Sequence, residues 1–449
     1  MKKLLIILFS FSIIVSAQKK TEIIKVVGDS LIGRTSNGIS FREVIGNVIM
    51  TQGDVKVTCK KAIQNLTLNN AELIGNVVVE QDTITILTEK AYYFGNDKYI
   101  YSDTNVTLDD SKVNLSAKSG YYYFDLKKAV FNSNVKLVDS LSVLKSNKLT
   151  YFNQIEKAIA VGSVSISDSA SIIHCDSLVH FKDVQKSFAF GNVKIVNSSQ
   201  RLTISGEELI DEGKNNYTRI IGEPVLTKID SNGTNGEDTL FIKAKMFESI
   251  EDSSKKLFAI DSVRIIRGEL YSRNDYAVLY RDENRLMTKK RKDDKVAPVL
   301  WFSNSQLVGD SINIFLSDNK LDSIEIRNEA TIISTDEKYE FRFDQISGNS
   351  INLYFKDGGL KETLVEGGVL SVYYVYEEKK PNGLMKSSSN KAKMYFEKNA
   401  VTNVSMFEDV QSEYHPENLV KGNELDFTIP TFTIYKNKPT RKSVLRGSK

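Results

Sequence analysis

Cysteine is almost missing from this chain of 449 residues, which has only Cys59 and Cys175. A disulfide-held scaffold is therefore excluded, and the fold must rest on a buried core. The two cysteines stand 116 residues apart, at equivalent positions of a repeat described below. Equivalent positions in separated repeats are distant, so we expect two free, small core residues and no bridge. Proline is scarce, six in all, which suits a long sheet. Net charge is lacking too: 60 Lys+Arg face 57 Asp+Glu. Without Lys2 and Lys3 the balance is 58 to 57, so there is no bias toward polyanions and no nucleic acid is expected as a partner.

Chemistry-bearing clusters are equally sparse. There is no phosphate-binding glycine loop, no nucleophile elbow and no metal-ligand spacing. His174-Cys175-Asp176 brings three reactive types together, but neighbours on a strand point to opposite faces and cannot converge on one ion. His180 replaces a tyrosine in an aromatic series, and His415 stands beside Pro416. We expect no enzyme, no metal and no cofactor.

One apolar run stands out, Leu4 to Phe9, behind Met1-Lys2-Lys3 and ahead of Val15-Ser16-Ala17. This is the pattern of a secretory signal over residues 1–17, cut before Gln18, with no cysteine after the cut to carry a lipid anchor. Beyond it, no stretch approaches the roughly 18 to 20 apolar residues of a membrane helix.

What the chain does have is a beat. Val48, Val77, Val106, Val135, Val164 and Val193 follow one another at 29 residues, each preceded by small, turn-tolerant residues such as Gly46-Asn47, Gly75-Asn76 and Gly191-Asn192. Two residues after each Val come Met50, Val79, Leu108, Leu137, Ile166 and Ile195; nine after come Val57, Ile86, Leu115, Leu144, Ile173 and Leu202. The residue just after each Val is mixed, which is the alternation of a strand with one dry face. Breaks near Gly53-Asp54, Asp82 and Asp139, and others near Asn96-Asp97, Asp125 and Asp183, leave two strand-length runs per repeat. At Lys61-Ala62 and Lys90-Ala91 the alternation slips by one residue, so we expect a bend or bulge that folds each strand over a narrow core. Aromatic pairs recur at Tyr93-Phe94, Tyr122-Tyr123, Tyr151-Phe152 and His180-Phe181, one ring for each face.

After Val193 the beat loosens. Asn232-Gly233-Thr234-Asn235-Gly236 reads as an inserted loop, and the basic run Lys289 to Lys295 as a solvated loop. Residues 377–392, with Pro381-Asn382-Gly383 and Ser387-Ser388-Ser389, also read as loop, and the basic tail from Lys436 as frayed.

The stretch from Gly46-Asn47-Val48 through Gln52-Gly53-Asp54 to Lys61-Ala62 resembles the repeat of the OstA/LptA family, and the copies at Gly75, Gly162 and Gly191 repeat it. The resemblance is good over residues 40–225 and looser to about 430. It implies an all-β fold, an elongated antiparallel β-jellyroll or β-taco built from the 29-residue repeats. It divides the chain into the signal peptide 1–17, jellyroll repeats 18–285, a loop 286–299, a degenerate continuation 300–435 and a flexible tail 436–449.

The resemblance also implies a periplasmic bridge protein, associated with inner- and outer-membrane transport complexes, that carries lipopolysaccharide or lipooligosaccharide in an apolar groove. The lipid-binding slots would be Val48, Val57, Val77, Val79, Ile86, Phe94, Val106, Leu115, Tyr123, Val135, Leu144, Phe152, Val164, Ile173, Phe181 and Val193. Partners would be the glycolipid, other transport jellyrolls stacked edge to edge, and further copies head to tail. Two departures stand out: the chain is much longer than the single-domain bridge, and it lacks the large C-terminal barrel of the outer-membrane subunit. The competing reading is a secreted β-solenoid, binding or adhesive and without lipid transport. A transmembrane barrel is disfavoured by the lysine-rich outward slots.

Overall fold

A computed structural model describes residues 23–231, 237–253, 255–336, 338–339, 341–397 and 400–445. The expected signal segment and the Asn232–Gly236 loop lie outside these residues. The chain is all-β, and every described ladder is antiparallel, which removes the parallel β-solenoid. It divides into two units, residues 1–137 and 138–449.

The first unit contains β1 (Lys25–Val27), β2 (Ser30–Ser36), β3 (Ile39–Gln52), β4 (Val55–Asn65), β5 (Asn70–Gln81), β6 (Ile84–Phe94), β7 (Tyr99–Ser102), β8 (Val106–Asp109), β9 (Asn114–Ala117), β10 (Ser119–Tyr123) and β11 (Lys128–Val138). Its organising device is a corner. Where β3 meets β4, Ile45 pairs with Lys61 and Val48 with Cys59, so Gly46 and Asn47 on one strand oppose Lys60 alone on the other. That two-against-one count is a β-bulge. Gly46 (φ 79°) and Asn47 (φ 44°) both sit in the left-handed region, and Gly75 (φ 80°) and Asn76 (φ 47°) do the same where β5 meets β6. Glycine and asparagine are the residues that adopt it at least cost.

The corner inverts the alternation. On β4, Val55, Val57 and Cys59 are buried; beyond Lys60-Lys61 the buried set becomes Ala62 and Gln64. Each long strand thus supplies two half-strands with one continuous dry face. A residual cavity of about 10 Å³ is lined from both sides of the corner, by Ile86, Thr88 and Val106 and by Ala91, Tyr122 and Phe131. The halves therefore face each other across one interior. Polar atoms trapped at the bend are satisfied locally: the Thr88 hydroxyl lies 2.7 Å from that of Ser102 and donates to the Thr104 carbonyl at 2.9 Å. At the start of the unit, β1 and β2 pair with β3 on one side, and no described strand pairs with their other edge. Val27, Leu31 and Ile32 are exposed there.

In the second unit the same corner recurs. Gly162-Ser163, Gly191-Asn192, Asp261-Ser262, Asn328-Glu329 and Gly367-Gly368 are left-handed pairs at register shifts. Its longest strands are Gly359–Glu377 and Lys380–Glu397. The latter corrects the expected loop at 377–392: Pro381 pairs opposite Tyr376 at an irregularity of the ladder, where no donor is needed. Ser387 shares a hydroxyl contact of 2.9 Å with Ser412 of the next strand. In the basic run, Lys289 ends the strand Arg285–Lys289, and Arg291 is tied to Asp294 at 3.0 Å and Asp261 at 2.8 Å. Of the tail expected to fray, residues 436–445 are described and packed: Val444, in the helix Arg441–Leu445, is fully buried against Val225 and Ile266. This buried side chain outweighs the basic flank that suggested disorder.

Candidate functional site

The dry face of the sheet within each unit is the candidate site. In the first unit Val48, Val57, Val77, Val79, Ile86, Val106, Leu115 and Val135 are buried. In the second, Leu144, Val164 and Val193 are buried and Ile173 half-buried. These slots form the core as the alternation required.

The ring slots are different. Phe94 and Tyr123 lie on the outer face of the first unit, half-buried, Phe94 stacked on Tyr99 with centroids 4.5 Å apart and Tyr123 tilted against it at 5.5 Å. Phe152 and Phe181 in the second unit are also half-buried, and Phe181 meets Phe188 edge-on at 6.4 Å, under the Lys157 ammonium. The inward rings are the first of each pair: Tyr93, Tyr122 and Tyr151 are 1%, 2% and 3% exposed. The cause is the inversion at the corner. Counting on in steps of two from Ala91 reaches Tyr93, whereas counting from Ile86 through the corner reaches Phe94. The slip at Lys90-Ala91 already held that information.

The inward tyrosines end on polar partners that residue types alone did not reveal. Gln52 closes β3 and Gln81 closes β5, next to turns, and both are buried. The Tyr93 hydroxyl donates to Gln52 Oε1, and Gln52 Nε2 donates to the Gly95 carbonyl at 3.2 Å. One repeat on, the Tyr122 hydroxyl donates to Gln81 Oε1 at 3.1 Å and Gln81 Nε2 to Asp54 at 3.0 Å. Lys127 adds an ion pair to Asp82. These bonds join the turn that follows one half-strand to the turn that follows the other. Hydroxyl–amide bonds thus bridge the two rows of turns along one side of the first unit. Burial pushes the Tyr122 phenol well above its ordinary range, so it remains a neutral donor.

In the second unit the equivalent slot turns polar. His180, Ser187, Asp211 and Thr218 are paired in succession across four strands. His180 Nδ1 lies 3.0 Å from the Ser187 hydroxyl, and Thr218 donates to Asp211 at 2.7 Å. Burial lowers the His180 pKa and raises that of Asp211. His174 and Asp176 are exposed on one side while Cys175 is buried on the other, and both cysteines are free. Desolvation raises both thiols, Cys175 to about 11, which favours the neutral thiol in each. Among the described residues no cluster of His, Cys, Asp or Glu could hold a metal, and no helix is long and apolar enough to cross a membrane.

Comparison with known proteins gives three findings. Residues 20–166 match the family described as OstA-like protein. No curated protein matches the chain. Among solved structures, LptH from Pseudomonas aeruginosa, the LptA-homologous periplasmic component of the lipopolysaccharide transport device, aligns at 14% identity and a TM-score of 0.17, covering 32% of this chain and 94% of that one.

Proposed function

We propose that this chain, an OstA-like protein over residues 20–166, is a periplasmic carrier that holds the acyl chains of lipopolysaccharide or a related glycolipid between its half-sheets. The reading extends the carrier segment past the matched residues to the last strand, Gln411–Pro416, with the 29-residue beat up to Val193 and looser hairpins after it; residues 417–435, expected to continue the repeats, leave the sheet instead. The observation that carries it is the combination of an apolar interior with turns bridged along one side by only a few side-chain bonds, which act in this reading as latches on a mouth. A cavity of about 10 Å³ is smaller than an acyl chain, so this is the closed form. Each methylene moved from water into the interior gains about 0.8 kcal/mol, which works against the roughly 1 kcal/mol of each latch bond and the contacts that the interior side chains exchange for contacts with the acyl chain. Near-equivalent valine and isoleucine slots then let the chain advance without a deep trap.

The unpaired edge of β1 and β2 supports stacking with a second jellyroll, from another transport subunit or another copy. The test is photo-crosslinking to lipopolysaccharide from probes at Ile86, Val77 and Phe94. Adducts from Ile86 and Val77 but not from Phe94 are the expected result. Adducts from Phe94 alone, or from none, would overturn the reading.

A further inference from the structure

The second unit carries a segment that no strand ladder holds. After the strand Gln411–Pro416 the chain turns through the helix Glu417–Val420, anchored by Arg342, which is 4% exposed and pairs with Glu417 at 2.6 Å and Glu424 at 3.7 Å. From there it runs back across the strands. Gln345 Nε2 donates to the Phe427 carbonyl at 3.4 Å while Gln345 Oε1 accepts from the Ile429 amide at 2.9 Å. Thr331 donates to the Thr431 hydroxyl at 2.9 Å. Gln306 repeats the clamp, donating to the Thr433 carbonyl at 2.7 Å and accepting from the Tyr435 amide at 2.8 Å. Lys438 then lies over Tyr271, and Val444 is buried against Val225 and Ile266.

These contacts define a track on the outer face of the sheet. Thr331 alternates with Ala330 and Ile332, which point to the interior, so the segment lies on the side away from the proposed lipid site. Each glutamine grips a carbonyl and the amide two residues on, the pairing that an extended peptide offers irrespective of its side chains. No described backbone–backbone bond ties residues 433–439 to the sheet. The segment can therefore leave without breaking a ladder. Leaving would bare Val372, Tyr374 and Leu384, which pack with Val420 and Ile429, so an empty track is strongly disfavoured. The occupant that replaces the segment without loss is an identical one, which is the condition for exchange between copies.

We propose that the track is a receptor for extended peptide and that two copies of this chain exchange residues 427–445 through it. The test uses the full chain with a protease site inserted between Gly422 and Asn423, so that the nicked protein keeps its segment in place. A fluorescent synthetic peptide of residues 423–445 should replace it in a saturable manner. Gln306→Ala and Gln345→Ala should each weaken the peptide by about tenfold, the worth of two lost bonds. Two differently tagged intact copies, mixed under mild denaturant and returned to buffer, should co-purify, and copies truncated after Lys421 should not pair with each other. Failure of the peptide to replace the segment overturns the receptor. Peptide binding without co-purification of intact copies overturns the exchange, and pairing of two truncated copies assigns association to another surface.

Discussion

Tyr122→Phe separates the latch from the ring. The ring stays, with its edge-on contact to Phe124 at 5.2 Å, and only the hydroxyl on Gln81 is lost. Gln81 is 5% exposed, so its oxygen is left without that donor in a place water scarcely reaches. A lost bond of about 1 kcal/mol plus partial desolvation of the orphaned acceptor gives a destabilisation of about 1–2 kcal/mol. In a unit of this size that lowers the melting temperature by roughly 5 °C. The functional effect runs the other way. If closing the mouth competes with acyl entry, removing about 1.4 kcal/mol of closure raises the open fraction and tightens apparent glycolipid affinity by up to about tenfold. The assay is paired: thermal unfolding followed by circular dichroism, and titration with a fluorescent acylated glycolipid. Gln81→Leu added to Tyr122→Phe removes the orphaned acceptor and should return part of the lost stability. A Tyr122→Phe variant as stable as the parent, or one that binds glycolipid more weakly, refutes the latch.

Two further outcomes follow from the geometry. Gly75→Ala places a side chain at φ 80°, with Lys60 Cδ 2.9 Å from the added carbon, and should cost about 1–2 kcal/mol in denaturant unfolding. The lysine end can move aside but the backbone strain cannot be relieved, so a neutral result would mean that the corner is soft. Asp344, which accepts the Tyr374 amide at 2.9 Å, has its pKa raised to about 6 by burial. An acid raised on folding stabilises fully below its unfolded value near 3.8 and loses that contribution as pH climbs through about 6. Stability of the second unit should therefore carry a downward step between about pH 4 and 6 that Asp344→Asn removes, as seen by urea titration at each pH.

Much of the architecture is legible in residue order because its cause is local. Gly46-Asn47 and Gly75-Asn76 mark the corners because left-handed backbone needs those residue types, and the slip at Lys61-Ala62 betrays the inversion they produce. A uniform alternation points to Phe94 as the inward ring, and the inversion at the corner gives that place to Tyr93. Gln52 reads as part of a turn and nothing in residue order singles out Gln81, because their roles depend on tyrosines 41 residues away, a separation that no strand period encodes. The segment 427–435 reads in the sequence as a degenerate continuation of the strands for a similar reason. Its contacts run across the strands through Gln306, Thr331 and Gln345, so they leave no alternation in the segment itself.

The two-against-one corner makes this fold forgiving of large changes in length and unforgiving of small ones. Losing a whole hairpin removes a matched pair of half-strands and leaves the parity of every neighbour intact. Losing Asn76 alone would present the far half of β5 with its wet face inward. Lineages of such chains should therefore differ by whole hairpins far more often than by single residues at the bends.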